Sequence, residues 1–521
     1  MRIRGFTVLA LLCAAVPAAA QSFATQDPVL RAIWQEGMEH SRTEPLAQAL
    51  MDSIGPRLTG SPAQRAGNEW LVQRYREWGI EARNEKYGTW RGWRRGPTHI
   101  DLVQPRVRSL EGTMLAWSPG TKGAVEAGTV VLPALADAAA FRAWLPAVKG
   151  KFVLISYPQS SCRPDENLEK WATGASLARM RRERVEGAAA WQRRIAATGE
   201  NARTLTTQLE AAGAVGILAN RWSEGWGVDK IFDASTTRAP VVDLSCEDYG
   251  LVFRLTEHSQ GPVIRLDARA QALGEVPVFN TIAVIPETEK PDEYVMLSAH
   301  FDSWDGGSGA TDNGTGTVTM LEAMRILKTV YPRPKRTIIV GHWSGEEQGL
   351  IGSNAFAADH PEIVKGLQVL FNQDNGTGRV SSLSMQGFLG AGESFAKWLS
   401  LIPQEITQYI TLSAPGMPSG GGSDNASFVC RGAPGIMLSS LSWDYGTYTW
   451  HTNRDTYDKI AFDDVRNNAT LTAMLAYLAS EDADRVPRDR RSGFPVNPQT
   501  GQASGWPECR TPPRSWAETQ R

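Results

Sequence analysis

The sequence predicts an α/β protein: a mixed sheet with central parallel strands, flanked by helices. Continuous apolar runs at 280–285, 294–298, 336–341 and 366–372 have the length and the β-branched character of strands buried on both faces. Helical patterns at 314–328 and 353–360 fall between these runs, and strand–helix alternation places parallel strands at the centre of a layered sheet. Acidic and imidazole side chains follow the ends of the runs, where open α/β sheets place their sites.

The elements follow in chain order. Arg2 and Arg4, an apolar run from Phe6 to Val16, and Ala18-Ala19-Ala20 before Gln21 read as a secretory signal peptide over residues 1–20, cleaved near Ala20. A lipoprotein anchored through Cys13 is the alternative, but Leu12 stands where a small residue is expected. No later run is long and apolar enough to span a bilayer. Residues 27–53 are helical in pattern and end at a turn-rich loop, Ile54 to Ser61. Gln64 to Trp78 is an amphipathic helix, with Trp70, Leu71, Tyr75 and Trp78 on its core face and Gly79 as its cap. Between about 118 and 275 the character changes to short strands at 129–132, 151–156, 215–218 and 240–244, with a charged helical stretch near 166–212. That block offers no metal-ligand pattern and reads as an inserted accessory domain. Its basic section, 179–194, is interrupted by Glu183 and Glu186 and reads as a solvated helix face. Val465 to Ala479 is a last helix, and 482–521 an extended tail. The main α/β domain is thus expected over 21–117 and 276–481, and the insert over 118–275.

A net charge of −2 with mixed signs gives nucleic acid no footprint. After signal cleavage four cysteines remain, which permits disulfides in an exported protein. Of three pairings, Cys162–Cys246 with Cys430–Cys509 is favoured because each pair then lies within one region; free buried thiols are the alternative.

The chemistry-bearing residues are His300 and Asp302 in His-Phe-Asp, Asp312 in Thr-Asp-Asn-Gly, Glu346-Glu347, Asp374 in Asn-Gln-Asp-Asn, and His451 in Trp-His-Thr-Asn. A carboxylate two residues past a histidine can accept the proton of the second ring nitrogen and fix the ring for metal binding. A carboxylate such as Asp312 can bridge two metals. Two adjacent acids on a turn diverge, so that one binds metal and the other stays free to take a proton from an activated water. Each motif alone is common; together they supply the imidazole and carboxylate donors of a catalytic zinc pair. His342 sits at a strand end and reads as packed, while His40, His99, His258 and His360 lack companion ligands.

His300-Phe-Asp302-Ser, Thr311-Asp312-Asn-Gly-Thr-Gly, Trp343-Ser-Gly-Glu346-Glu347-Gln-Gly and Asn-Gln-Asp374 resemble the co-catalytic zinc exopeptidases of the bacterial leucyl aminopeptidase type. The longer run His300-Phe-Asp-Ser-Trp-Asp305, with Gly55-Pro-Arg-Leu58, is especially similar to the plasma glutamate carboxypeptidase (carboxypeptidase Q) branch, and the insert resembles a protease-associated domain. The resemblance implies a zinc-exopeptidase fold and two Zn²⁺ ions per chain. One would be held by His300, Asp312 and Asp374, the other by Asp312, Glu347 and His451, with Glu346 as general base and Asp302 behind His300. It places Ser423 and Asp424, in a Gly-rich loop, on the substrate side. Where some members carry a tyrosine beside the last histidine, this chain has Trp450, so Tyr448 or Tyr445 is left to meet the oxyanion. The expected activity is hydrolysis of peptides or dipeptides by a secreted or periplasmic enzyme, with a homodimer left open. A glutaminyl cyclase and a non-catalytic, receptor-like relative are the competing readings.

Overall fold

The computed structural model describes residues 26–496 and 501–520; the expected signal peptide and Cys13 lie outside them. At the centre of the sheet the strand Lys290–His300 runs parallel to Arg336–Trp343 on one side and to Leu367–Asn372 on the other. Gly435–Ser440 extends the parallel set beyond Leu367–Asn372, and Val263–Ile285 closes the opposite flank antiparallel to Arg336–Trp343. Parallel neighbours need a long crossover, and the helix Thr315–Val330 supplies the one between the His300 and Trp343 strands.

Side chains alternate between two cores, as the pleat requires. Val295, Leu297, Ile338, Val340, Val369 and Phe371 face the helices Thr315–Val330 and Phe462–Glu481. Met296, Ile339, Leu370 and Trp343 face the other way, onto Phe356 and Phe428. Burial on both faces explains why these strands read as continuous apolar runs.

Two long antiparallel strands, Glu81–Gln104 and Val263–Ile285, connect this sheet to residues 118–275. Val125–Val131 pairs with Val263–Ile285, and Phe152–Leu154, Gly216–Ala219 and Val241–Leu244 continue in parallel, so one sheet runs through both regions. A separate core gathers there around Phe152, Leu154, Ile217, Val242 and Phe253. The charged stretch forms the helices Asp165–Trp171, Gly174–Ala197 and Ala202–Ala211. Both favoured disulfides, Cys162–Cys246 and Cys430–Cys509, are formed. Among the described residues no helix is long and apolar enough to cross a membrane.

Candidate active site

The central strands deliver their chemistry at one edge. His300 ends its strand; Glu346 and Glu347 follow the end of Arg336–Trp343; Asp374 lies just past Leu367–Asn372. Asp312 comes from the turn Ala310–Gly314 that opens the helix Thr315–Val330. His451 arrives from the loop after Tyr445–Thr449, with a left-handed φ of 58°. All five expected metal ligands and Glu346 therefore converge.

Asp312 lies between the two histidines. Its Oδ1 is 3.4 Å from His300 Nε2, and its Oδ2 is 3.4 Å from His451 Nε2. Asp374 Oδ1 lies 3.1 Å from His300 Nε2, and Glu347 Oε2 lies 2.9 Å from His451 Nε2. The donor atoms of His300, Asp312 and Asp374 fall within 4.8 Å of one another, as do those of Asp312, Glu347 and His451. A third set, His300 with Glu346 and Glu347, meets the same criterion.

Burial makes this cluster costly as it stands. It pushes Glu346 and Glu347 well above the usual carboxylate range, and the Asp374 and Asp312 carboxylates, respectively, add to the effect. It works against protonation of His300, yet the Asp374 and Glu346 carboxylates outweigh it and hold that imidazole above its ordinary value. His451 is driven down to about 4 by burial and stays neutral, the form in which an imidazole ligates. Asp312 Oδ2 and Glu347 Oε1 are buried and accept no hydrogen bond from the described residues. Buried carboxylate oxygens without partners are expensive unless a cation meets them, and this mixed donor set is the kind a divalent metal takes.

A surrounding layer fixes the donors. Asp302 acts differently from the expectation. His300 Nδ1 lies 2.9 Å from the Asp302 main-chain carbonyl, whereas the nearest carboxylate oxygen is 3.9 Å away. The turn aims the carbonyl at the ring and leaves the carboxylate free to accept from Thr59 Oγ1 and from the backbone N–H groups of Glu346 and Glu347. Asp302 thus ties the histidine to the glutamate pair. Trp304 Nε1 donates to Glu347 Oε2 at 2.8 Å.

Sequence reasoning missed Asp455, which accepts from the N–H groups of Thr311 and Asp312 at 2.7 and 3.0 Å; its one signal was an acid four residues past His451. It also gave no role to Arg57, whose buried guanidinium donates to the carbonyls of Gly55, Phe301, Ser308 and Gly309. Residues 230–232 supply a buttress: Ile231 N–H donates to the His451 carbonyl, Lys230 Nζ to the Trp450 carbonyl, and the Phe232 ring lies 5.0 Å from that of His451.

The donors line a cleft of about 320 Å³, walled by Leu350, Gly422, Tyr445, Trp450 and Arg510. Gly422 lines it, but Ser423 and Asp424 do not: Ser423 is buried and receives the Asn372 amide at 2.8 Å, and Asp424 is buried, its carboxyl raised to about 7 by burial. Tyr448 also points elsewhere, packing on Gly225, and Tyr445 stands at the cleft instead. One turn of chain separates the two tyrosines, and sequence alone does not choose between them. Desolvation and the Asp312 and Asp374 carboxylates keep the Tyr445 phenol protonated.

Comparison with known proteins assigns a family to the segment that carries these residues. Residues 280–476 match the model of peptidase family M28. That segment belongs to peptidase family M28. The M28 segment holds every candidate ligand and Glu346, and it makes the protein a metallo-exopeptidase. Similarity extends well beyond it. Carboxypeptidase Q of Homo sapiens is 25% identical over 453 residues, 87% of this chain and 88% of that one. The mouse enzyme of the same name is 25% identical over 440 residues, 84% and 86% of the two chains. Among solved structures, a peptidase M28 precursor from Shewanella amazonensis superposes with a TM-score of 0.65 at 22% identity, covering 88% of this chain and 97% of its own. A zinc aminopeptidase from Bacillus subtilis gives 0.52 at 20% identity, covering 86% and 96%. These two structures share the fold of the chain described here.

Proposed function

We propose that this metallo-exopeptidase carries two zinc ions and hydrolyses the terminal peptide bond of short peptides that present a free N-terminus. The observation that carries the proposal is Asp312, whose two oxygens face His300 and His451 separately. His300, Asp312 and Asp374 would hold one ion and Asp312, Glu347 and His451 the other, with Asp312 as the bridge. Bound zinc supplies Lewis acidity for the scissile carbonyl and acidifies a water toward neutral pH.

The chain's own groups do the rest. Glu346, not needed by either of the Asp312-centred sets, receives the proton of the attacking water and delivers it to the leaving amine. It is half-buried and lines the cleft beside the ligands, where the attacking water would sit. Asp302 holds the backbone of Glu346, and so aims its carboxylate. The protonated Tyr445 hydroxyl is the donor best placed to meet developing negative charge on the carbonyl oxygen. Trp450 narrows the cleft, and the 118–275 region, read as a protease-associated-like accessory domain, steadies the His451 loop behind it. Two disulfides fit an exported protein.

Metal analysis combined with a substrate panel tests the proposal. About two zinc ions per chain, with cleavage of free dipeptides or an aminoacyl-anilide and none of an N-blocked peptide, is the expected result. A metal-loaded sample that hydrolyses none of these, or that only cyclises an N-terminal glutamine, rejects it.

A further inference from the structure

The acidic cleft has one lysine or arginine among its lining residues, and it comes from the C-terminal tail. Arg510 follows Cys509 directly, and Cys509 is joined to Cys430 at the end of the short helix Ala426–Val429. The tail is docked on both sides of that bond. Before it, Trp506 donates its indole N–H to the Val429 carbonyl and packs on Phe388 with ring centroids 5.2 Å apart. After it, Arg514 forms a two-pronged pair with Asp359 at 2.7 and 2.9 Å, and its carbonyl accepts from Thr89 N–H. The strap thus crosses the rim of the cleft along a fixed path.

At the rim the guanidinium is seated on the loop that contains Gly422. A Cβ added to Gly421 would stand 2.8 Å from an Arg510 nitrogen, so this glycine leaves the room the side chain occupies. Arg510 itself is exposed, and among the described residues its guanidinium makes neither an ion pair nor a hydrogen bond. A planar five-donor cation is the group that reads a carboxylate with two hydrogen bonds.

Taking the peptidase reading as given, we propose that Arg510 is a specificity-determining residue: it binds the free α-carboxylate at the C-terminus of a dipeptide or other very short substrate. The ligands and Glu346 accommodate the scissile bond, and the far, carboxylate end of a short zwitterionic peptide meets Arg510, the one lysine or arginine of the cleft lining. A cleft of about 320 Å³ is at the small end of ligand sites and suits such a molecule. The Cys430–Cys509 bond makes this preference depend on an intact tether.

The test compares L-alanyl-L-alanine with its C-terminal amide as substrates, and a phosphinic isostere of each as a calorimetric ligand, in the full zinc-loaded chain. The wild type should favour the free acid over the amide by about 10- to 100-fold in kcat/KM and in Kd, the range of one charge-assisted hydrogen-bond pair. Arg510→Ala should abolish that ratio by weakening the acid alone, through KM rather than kcat, and Arg510→Lys should restore part of it. Cys509→Ser should reproduce the loss without touching Arg510. A merely structural tail would lower activity on both compounds and leave their ratio intact. Equal use of acid and amide by the wild type overturns the proposal while leaving the peptidase reading standing, and so does a ratio unchanged in Arg510→Ala. Failure of the zinc-loaded wild type to bind either isostere or cleave either peptide rejects both.

Discussion

Glu346→Gln separates the general base from the metal ligands. The substitution exchanges one oxygen for an amide and keeps side-chain length, and the backbone N–H of residue 346 keeps its bond to Asp302. The two donor sets that share Asp312 do not include residue 346, so zinc content should stay at the wild-type level. Loss of a positioned general base typically removes about 10²–10⁴ in rate, equivalent to about 3–5 kcal/mol of barrier. The thermal midpoint should stay near the wild-type value, because the substitution conserves the size and shape of the side chain. The assay is kcat on L-alanyl-L-alanine with elemental analysis and a thermal melt on the same preparation. A kcat within tenfold of wild type in a zinc-replete sample would refute the base assignment. Parallel loss of metal and activity would instead make Glu346 a ligand, in line with its place beside His300 and Glu347.

Asp312→Ala should lose at least one of the proposed ions, since both histidines face that carboxylate; two ions retained by elemental analysis would count against a bridge. Trp304→Phe removes the 2.8 Å indole donor to Glu347 and should weaken zinc retention against a chelator by about 10- to 100-fold, the usual effect of losing a group that orients a ligand. His342 gives a pH-dependent stability. Burial lowers its pKa to about 3 from 6.5, so its share is present above pH 6.5 and is lost as pH falls, because the unfolded chain takes up the proton first. By pH 5 that loss is about 2 kcal/mol, at about 1.4 kcal/mol per unit. Urea unfolding at pH 7 and pH 5 should show this drop in the wild type and a smaller one in His342→Gln; equal drops would refute it.

The central strands and their site were legible because one physical cause produces both signals. A strand buried on both faces must be apolar throughout, and the sheet edge where it ends is where polar ligands can gather. His300, Glu346, Glu347 and Asp374 inherit their positions from that rule. The strand Glu81–Gln104 was not legible. Gly88, Gly92, Gly96 and Pro97 break its alternation, and the partner strand absorbs them by register shifts that no local pattern announces. Gly88 shows why: a Cβ there would lie 2.0 Å from the Arg514 carbonyl, so the residue serves a tail more than 400 positions away. Ser423, Asp424 and Tyr448 were misplaced for a related reason, since a glycine-rich loop and a cluster of aromatics do not specify which member turns inward.

The ligands alone would not form this site. His451 sits on a left-handed residue in a loop, and three contacts from residues 230–232 hold it there. Asp312 lies on a turn whose N–H groups are taken by Asp455, four residues beyond His451, so the bridge and the last histidine are coupled through one carboxylate. Arg57 binds the carbonyls on either side of Asp302 and Trp304, so the loop that orients His300 and Glu347 closes on a single guanidinium. Buried, unpaired acids repel one another, and loops have little stiffness of their own. The clamps at Arg57, Asp455 and Lys230 therefore oppose a repulsion that the ligand cluster creates, and the outlying parts of the chain are the means by which a strand-edge site reaches ligation geometry.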